Sequence, residues 1–321
     1  MSRYRKRLPQ LGDGLFLSDA GLETMLTFQQ GFTLPSFASF ILLREQAGQA
    51  ALLAYFERFA RLAQENGTGL VLETPTWRAN PDWGRALGYT ELALAEANRA
   101  AVALVAKVRA AWDAPGRPIV ISGNIGPRGD GYRADHRMGA AAARDYHLAQ
   151  IATFAATEAD MVSAFTITYP DEAIGIVDAA AACDMPVAIS FTLETDGCLP
   201  SGDRLSEAIE RTDLETGSYA AYYMINCAHP THIEPALREH GPWRDRLRGL
   251  RANASRRSHA ELDNSNELDE GDPEELGDEY LALHTVLPQM NVVGGCCGTD
   301  ERHVAAIARC LTGRAAPAAT A

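Results

Sequence analysis

Cysteine is scarce in this chain, with six residues in 321. Spread over that length, Cys183, Cys198, Cys227, Cys296, Cys297 and Cys310 are too few for a disulfide scaffold, so reduced thiols are the default. Basic charge is also short: 29 Lys and Arg stand against 42 Asp and Glu, a formal net charge of -13. An acidic surface repels polyanions, which excludes nucleic acid and anionic membrane surfaces as expected partners. No apolar run approaches the ~20 residues of a membrane span, and the basic N-terminal "RYRKR" has no apolar segment behind it. The expectation is a cytoplasmic protein. Nucleotide loops are missing too: "GNIGPRGDG" has glycines but neither the GxGxxG nor the GKT spacing. Low-complexity tracts are absent, and 46% apolar residues is the composition of a chain that folds around a large core.

What is present is a rhythm. Short apolar or β-branched runs alternate with longer alanine-rich stretches of helical periodicity, the mark of parallel βαβ units. The strand-like runs are "GLFLSDAG", "GLVLETPT", "PIVISGNIG", "ADMVSAFTIT", "PVAISFTLE", "AAYYMINCA", "RLRGLRANAS" and "MNVVGGCCG". Helices such as "QAALLAYFERFARLAQEN" and "YTELALAEANRAAVALVAKVRAAW" lie between them. This pattern predicts an α/β fold of the (β/α)8 TIM barrel type, one domain over residues 1–321. The acidic stretch at about 259–280 breaks the rhythm and reads as an exposed, solvated insertion leading into a short helix. The tail at about 314–321, "AAPAATA" in its last seven residues, reads as flexible.

In such a barrel the active site forms at the C-terminal ends of the strands, so reactive residues at the ends of runs carry the information. Here those ends offer Asp19, Glu73, Thr74, Thr76, Asn124, Thr166, Thr168, Ser190, Thr192, Asn226, Cys227, Asn253, Cys296 and Cys297. Thiols stand at the sixth and eighth ends, and three thiolates converging at Zn–S bonds of ~2.3 Å would leave a tetrahedral zinc ion one open position, as in catalytic sites. Neighbouring residues of an extended strand point to opposite faces, so Gly294, Gly295 and Gly298 are expected to supply the bend that aims Cys296 and Cys297 at one metal. The competing reading is a reversible disulfide between those two cysteines in a non-catalytic zinc or redox barrel. Cys183, Cys198 and Cys310 fall on helices or in a loop and read as structural or surface thiols. His229, His232 and His303 read as helix-start residues and not as ligands, and Asn226 as a backbone-bonding residue.

"GGCCGTDERH" and "MINCAHP" resemble the zinc-binding signature of the homocysteine S-methyltransferase family, which includes betaine–homocysteine methyltransferase and the homocysteine-binding half of cobalamin-dependent methionine synthase. "SDAGLETML", "LVLETPTWRAN", "SGNIGPRGDGY" and "ISFTLETDGCLPSGDRLSEAI" resemble further family blocks in the same order. The resemblance implies Zn2+ as cofactor, held by Cys227, Cys296 and Cys297, and methyl transfer to the thiol of homocysteine, a step of methionine biosynthesis. It implies that Asp19 helps hold the amino-acid substrate. Two departures stand out. Phe165 takes the place of a family glutamate associated with the homocysteine amino group, and "RANASRRS" replaces a Tyr-Pro-Asn-Ser-Gly block, keeping Asn253 and Ser255. Methyl transfer to a different thiol or selenol acceptor is therefore the alternative.

Zinc has no redox role and the chain shows no methyl-carrier module, so the donor is expected to be an activated small molecule. S-methylmethionine or S-adenosylmethionine fits best, and betaine is possible. A cationic donor favours aromatic faces and carboxylates, which nominates Trp77, Tyr132 and Glu73. Trp77 and Glu73, with Asp19, Thr74, Asn124, Thr166 and Asn253, are the expected substrate-binding residues, while Tyr132 reads first as a packing residue. The partners are a small-molecule thiol and a methyl donor; the oligomeric state is left open.

Overall fold

The computed structural model describes residues 2–135, 137–263, 265 and 267–313. The expected flexible tail at 314–321 lies outside them. Strands β1 (Phe16–Leu17), β2 (Gly69–Glu73), β3 (Ile119–Ile125), β4 (Met161–Ile167), β5 (Val187–Phe191), β6 (Tyr222–Asn226), β7 (Leu247–Ala252) and β8 (Val292–Gly295) pair in sequence order into a closed parallel barrel. Phe16 of β1 stands between Gly69 of β2 and Val292 of β8, which closes the ring. The predicted (β/α)8 barrel is what the chain forms. Strand β1 is short, but the chain after Leu17 still runs along β8, with Ser18 N donating to Val293 O and Gly295 N to Asp19 O, and this carries Asp19 to its buried partners.

Helices α1 (Gln46–Asn66), α2 (Glu91–Trp112), α3 (Ala140–Ala155), α4 (Pro170–Ala182) and α5 (Leu205–Thr216) cover the first strands. Beyond them come the short α6 (Pro230–Ile233) and α7 (His259–Asp263), then α8 (Pro273–Val286) and α9 (Glu301–Thr312). In α1 the buried residues Leu52, Tyr55, Phe56, Phe59, Ala60 and Ala63 recur at three- and four-residue intervals, one apolar face turned to the barrel. Gly67 ends the helix in the left-handed conformation at φ 68°. Thr90 starts α2 by accepting the backbone N–H of Ala93, and Asp272 starts α8 by accepting those of Glu274 and Glu275.

The barrel interior has its own cluster, drawn from Phe16, Val71, Val120, Met161, Phe165, Ala188, Tyr222, Met224 and Val292. Strand β7 contributes Gly249 in place of a side chain there, since a Cβ atom would stand 2.5 Å from the Met224 side chain. The basic N-terminal segment closes the far end, opposite the site. Buried Asp160 accepts the backbone N–H groups of Arg3 (2.7 Å), Tyr4 (2.8 Å) and Ile121 (3.0 Å) and pairs with Arg109 at 2.8 Å. Arg5 donates to the carbonyls of Ala155, Thr157 and Ala159. That network ties Arg3, Tyr4 and Arg5 to the segments before β3 and β4.

The acidic stretch leads into α8, and Glu261, Asp272, Glu274, Glu275 and Asp278 are exposed. Part of it also faces the site: Arg256 pairs with Glu275 and Glu279, Asp269 takes Arg257 and the Ser255 hydroxyl, and Leu262, Glu267, Leu268 and Asp269 line the main cavity.

Removing the carboxylate of Asp160 leaves Arg109 and three backbone N–H groups short of their acceptor in a buried place. Asp160→Ala is expected to cost about 3 kcal/mol of stability, read by urea unfolding, without moving Cys227, Cys296 and Cys297 at the other end.

Candidate active site

At the C-terminal ends of the strands lies a cavity of about 380 Å³. Cys227, Cys296 and Cys297 share it, their sulfur atoms all within 4.8 Å of one another. Cys227 Sγ is 2.9 Å from Cys296 Sγ and 3.7 Å from Cys297 Sγ. In a tetrahedral thiolate site with Zn–S bonds of ~2.3 Å the sulfurs stand ~3.8 Å apart. The second distance already meets that value, and the first requires Cys296 to open by somewhat less than an ångström. Sulfur donors in that number suit zinc, and among the described residues no other group of metal-binding side chains comes together this way. Hydrogen bonds from Cys227 and Cys297, helped by the nearby Arg251 guanidinium, hold the Cys296 thiol well below its ordinary pKa. Those same hydrogen bonds keep Cys227 protonated and push its pKa up.

The bend that aims the sulfurs is built differently from the expectation. Gly298 does turn the chain, at φ 80°. Gly294 and Gly295 instead allow close packing: a Cβ atom at Gly295 would meet Thr299 Oγ1 at 2.0 Å, and one at Gly294 the Asp19 carbonyl at 2.7 Å. The other reorientation is at Cys227, which itself sits in the left-handed region at φ 55°. Three groups hold it there. Asn253 Nδ2 donates to the Cys227 carbonyl (3.1 Å), His259 Nε2 lies 2.6 Å from that same oxygen, and Cys227 N donates to Arg251 O (3.1 Å). Thr166, a β-branched residue, is likewise left-handed at φ 61°. Asn226 clamps it, accepting Thr166 N at 2.8 Å and donating to Thr166 Oγ1 at 2.9 Å. Strain of this kind collects where a functional group must be aimed.

The expected substrate residues separate into two sets. Asp19, Glu73, Thr74, Trp77, Asn124 and Thr166 line the cavity with the cysteines. Asn253 does not; it stands behind Cys227 and positions it. Thr74 Oγ1 accepts Asn124 N (2.9 Å) and Thr76 Oγ1 donates to Asn124 O (2.7 Å), so these threonines lock the ends of β2 and β3 together. Ser190 donates to Asn226 Oδ1 at 2.7 Å, a supporting contact, and buried Thr168 and Thr192 are not among the cavity residues. Trp77 Nε1 donates to Phe165 O at 3.4 Å, and Arg78 lies 3.9 Å from the centre of the Trp77 ring, which occupies one face of that indole. Tyr132 reaches the cysteine corner: its hydroxyl is 3.6 Å from Cys227 Sγ and 3.7 Å from Cys297 Sγ, and its ring stacks on His259 at 4.2 Å. His229 and His303 start helices as expected, through contacts with Thr231 N and Asp300 N, and His232 bonds to the Arg256 carbonyl.

Several site residues carried no sequence signal. Arg251 pairs with Asp19 Oδ1 at 2.8 Å and donates to the carbonyls of Ala20 and Gly295 at 2.9 Å each. Burial works against its charge, but Asp19, Cys296 and Glu73 outweigh that and raise its pKa. Tyr55 donates to Asp19 Oδ2 at 3.0 Å. Burial nevertheless leaves the Asp19 carboxyl above its ordinary pKa. Glu23, which accepts Ser39 Oγ at 2.7 Å, and Glu73 are both pushed by burial up to about 7. Arg251 stands next to last in β7, inside the "RANASRRS" block but not nominated there for the site, Tyr55 on a helix face and His259 in the acidic stretch. Only closure of the barrel brings them to the cysteines.

The family model for homocysteine S-methyltransferases matches residues 16–311. Among solved structures, the Escherichia coli homocysteine methyltransferase MmuM in its metallated form superposes with a TM-score of 0.73 at 19% identity, covering 95% of this chain and 99% of that one. Its oxidised form gives 0.73 at 20% identity over the same shares. The apo form gives 0.66 at 18% identity, over 96% of this chain and all of the other. At these identities the likeness to MmuM is one of fold. No curated protein matches the sequence. With nearly its whole length matched by the family model, the chain belongs to the homocysteine S-methyltransferase family.

Proposed function

We propose that this protein moves a methyl group from a small sulfonium donor, S-methylmethionine or S-adenosylmethionine, to the thiol of homocysteine, giving methionine, with zinc held by Cys227, Cys296 and Cys297. The observation that carries the proposal is the trio of sulfur atoms within 4.8 Å at one corner of an enclosed cavity. Zinc bound there would lower the pKa of a substrate thiol and, with its charge offset by three thiolates, leave that sulfur nucleophilic.

The protein's own groups do the rest. Arg251 beside Cys296 favours the thiolate form that a metal needs. Asn253 and His259 hold the strained Cys227 backbone, so the ligand set is pre-aligned and little reorganisation is needed on binding. In the transfer, a lone pair of the acceptor sulfur forms the new S–CH3 bond as the donor's S–CH3 bond breaks. The donor leaves as a neutral thioether, and the thiol proton goes to solvent. A cationic donor fits the rest of the cavity, which adds Glu23, Asp130 and Glu267 to the aromatic faces of Tyr132 and Trp77. No helix among the described residues is long and apolar enough to cross a membrane.

A second reading, transfer to another thiol or a selenol, is favoured by one observation: Phe165, an apolar ring, lines the cavity where the family pattern has a carboxylate. A screen of zinc-loaded protein separates the two readings. Homocysteine and other thiols are each offered with S-methylmethionine, S-adenosylmethionine and betaine, and products are read by mass spectrometry. Methionine from homocysteine with a sulfonium is the expected product, and methylation of other thiols with homocysteine inert would select the second reading.

Purified protein is expected to hold about one zinc per chain by elemental analysis. Cys297→Ala should lose the metal and lower kcat/KM at least 100-fold. A protein that binds no zinc and methylates no thiol, but cycles Cys296 against Cys297 as a disulfide, would be a redox barrel and not this enzyme.

A further inference from the structure

An acceptor that carries an ammonium group needs an unpaired oxygen to receive it, and most oxygens of this cavity are already committed. Asp19 is spent inside the protein: Oδ1 takes Arg251 at 2.8 Å and Ser18 at 3.2 Å, and Oδ2 takes Tyr55 at 3.0 Å. Phe165 offers only a ring, and that ring lies under the Arg251 guanidinium, 5.1 Å from its centre. The positions that depart most plainly from the family pattern, at the ends of β4 and β7, thus meet in one cation–π contact. Glu23 bonds to Ser39. Thr74 and Thr166 are tied to Thr76, Asn124 and Asn226.

Among the described residues lining the cavity, the buried side-chain oxygens with no hydrogen-bond partner are Glu73 Oε2 and Asn124 Oδ1. Glu73 is 3% exposed. A carboxylate buried to that degree is normally paired, and an unpaired one calls for an explanation. Its burial pushes its pKa up to about 7, since Arg251 is already engaged by Asp19 and the hydroxyls of Ser122 and Ser163 favour the charged form only in part. Glu73 stands beside Ser122 in the β2–β3 register, and Asn124 lies two residues further along the same face of β3. The Thr74 and Thr76 hydroxyls fix the two strand ends together, so the oxygens are held on rigid backbone.

We propose that Glu73, with Asn124 beside it, receives the ammonium group of the thiol acceptor and makes the site selective for amino-acid thiols. The proposal rests on the thiol methyl-transfer reading above. It removes Glu73 from the donor's cation seat, which the acidic mouth and Tyr132 supply without it. It also explains how a site with Phe165 in place of a carboxylate accepts homocysteine: the anionic partner is on β2 and not on β4.

The test compares homocysteine with 4-mercaptobutyrate, which has the same thiol and carboxylate but no amine. Zinc-loaded wild type and Glu73→Gln are assayed with whichever of S-methylmethionine and S-adenosylmethionine the wild type uses. Glu73→Gln keeps the shape and resembles the protonated form, and its zinc content and melting temperature serve as folding controls. The expected result is a loss of about 30-fold or more in kcat/KM for homocysteine, mainly through KM, with less than about 3-fold change for 4-mercaptobutyrate. Asn124→Ala is expected to lower the same preference by roughly 3- to 10-fold. Equal losses for both thiols, an unchanged preference, or a rise in the donor's KM alone would overturn the proposal. If wild type methylates no thiol, the underlying reading fails on its own. Calorimetric binding of homocysteine against 4-mercaptobutyrate to the zinc-loaded proteins then decides the role of Glu73: a preference present in wild type and lost in Glu73→Gln supports it, and no difference between the two proteins overturns it.

Discussion

The guanidinium of Arg251 holds together the strand ends on which this site is built. From β7 it reaches Asp19 and the Ala20 carbonyl beyond β1 and the Gly295 carbonyl at the end of β8, and its plane covers Phe165 from β4. A cation buried this deeply is costly unless its donors are met, and here three oxygens and a ring meet them. Cys296 lies next along the chain from Gly295, so whatever fixes that carbonyl also fixes the thiol. The pair with Asp19 therefore acts on the cysteine corner without touching a sulfur.

A second layer of constraint lies in the backbone. Cys227 and Thr166 both adopt left-handed conformations that β-branched and thiol side chains rarely take. Asn226 clamps one and stands next to the other, while Asn253 and His259 grip the Cys227 carbonyl. Strand β7 and the acidic segment thus serve Cys227 from behind. That segment also carries cavity-lining residues and is pinned by Arg256 and Arg257, so part of its negative charge faces the mouth of the pocket.

The same arrangement accounts for what the family-deviant residues do. At the two positions where the sequence departs from the pattern it resembles, a ring on β4, Phe165, and a cation on β7, Arg251, lie in contact with each other. Among the described residues lining the cavity, Glu73 Oε2 on β2 and Asn124 Oδ1 on β3 are the buried side-chain oxygens left without a hydrogen-bond partner.

Local pattern by itself determined a good deal. Alternation of apolar runs and helical stretches settles the barrel, since each strand buries both faces and each helix one. The thiols at the ends of the β6 and β8 runs mark the corner where three sulfurs meet, because a strand-end position in this fold is a site position. The strained φ at Cys227, the ion pair of Asp19 with Arg251, the stack of Tyr132 on His259 and the unpaired oxygen of Glu73 were decided only by tertiary structure. Each depends on residues from strands or loops far apart in the chain, 232 positions in the case of Asp19 and Arg251, whose distance is set by barrel closure and by no local pattern. Glycine spacing suggested that Gly294 and Gly295 bend the chain. Packing instead uses them as narrow places where Thr299 and the Asp19 carbonyl approach, and leaves part of the bending to Cys227.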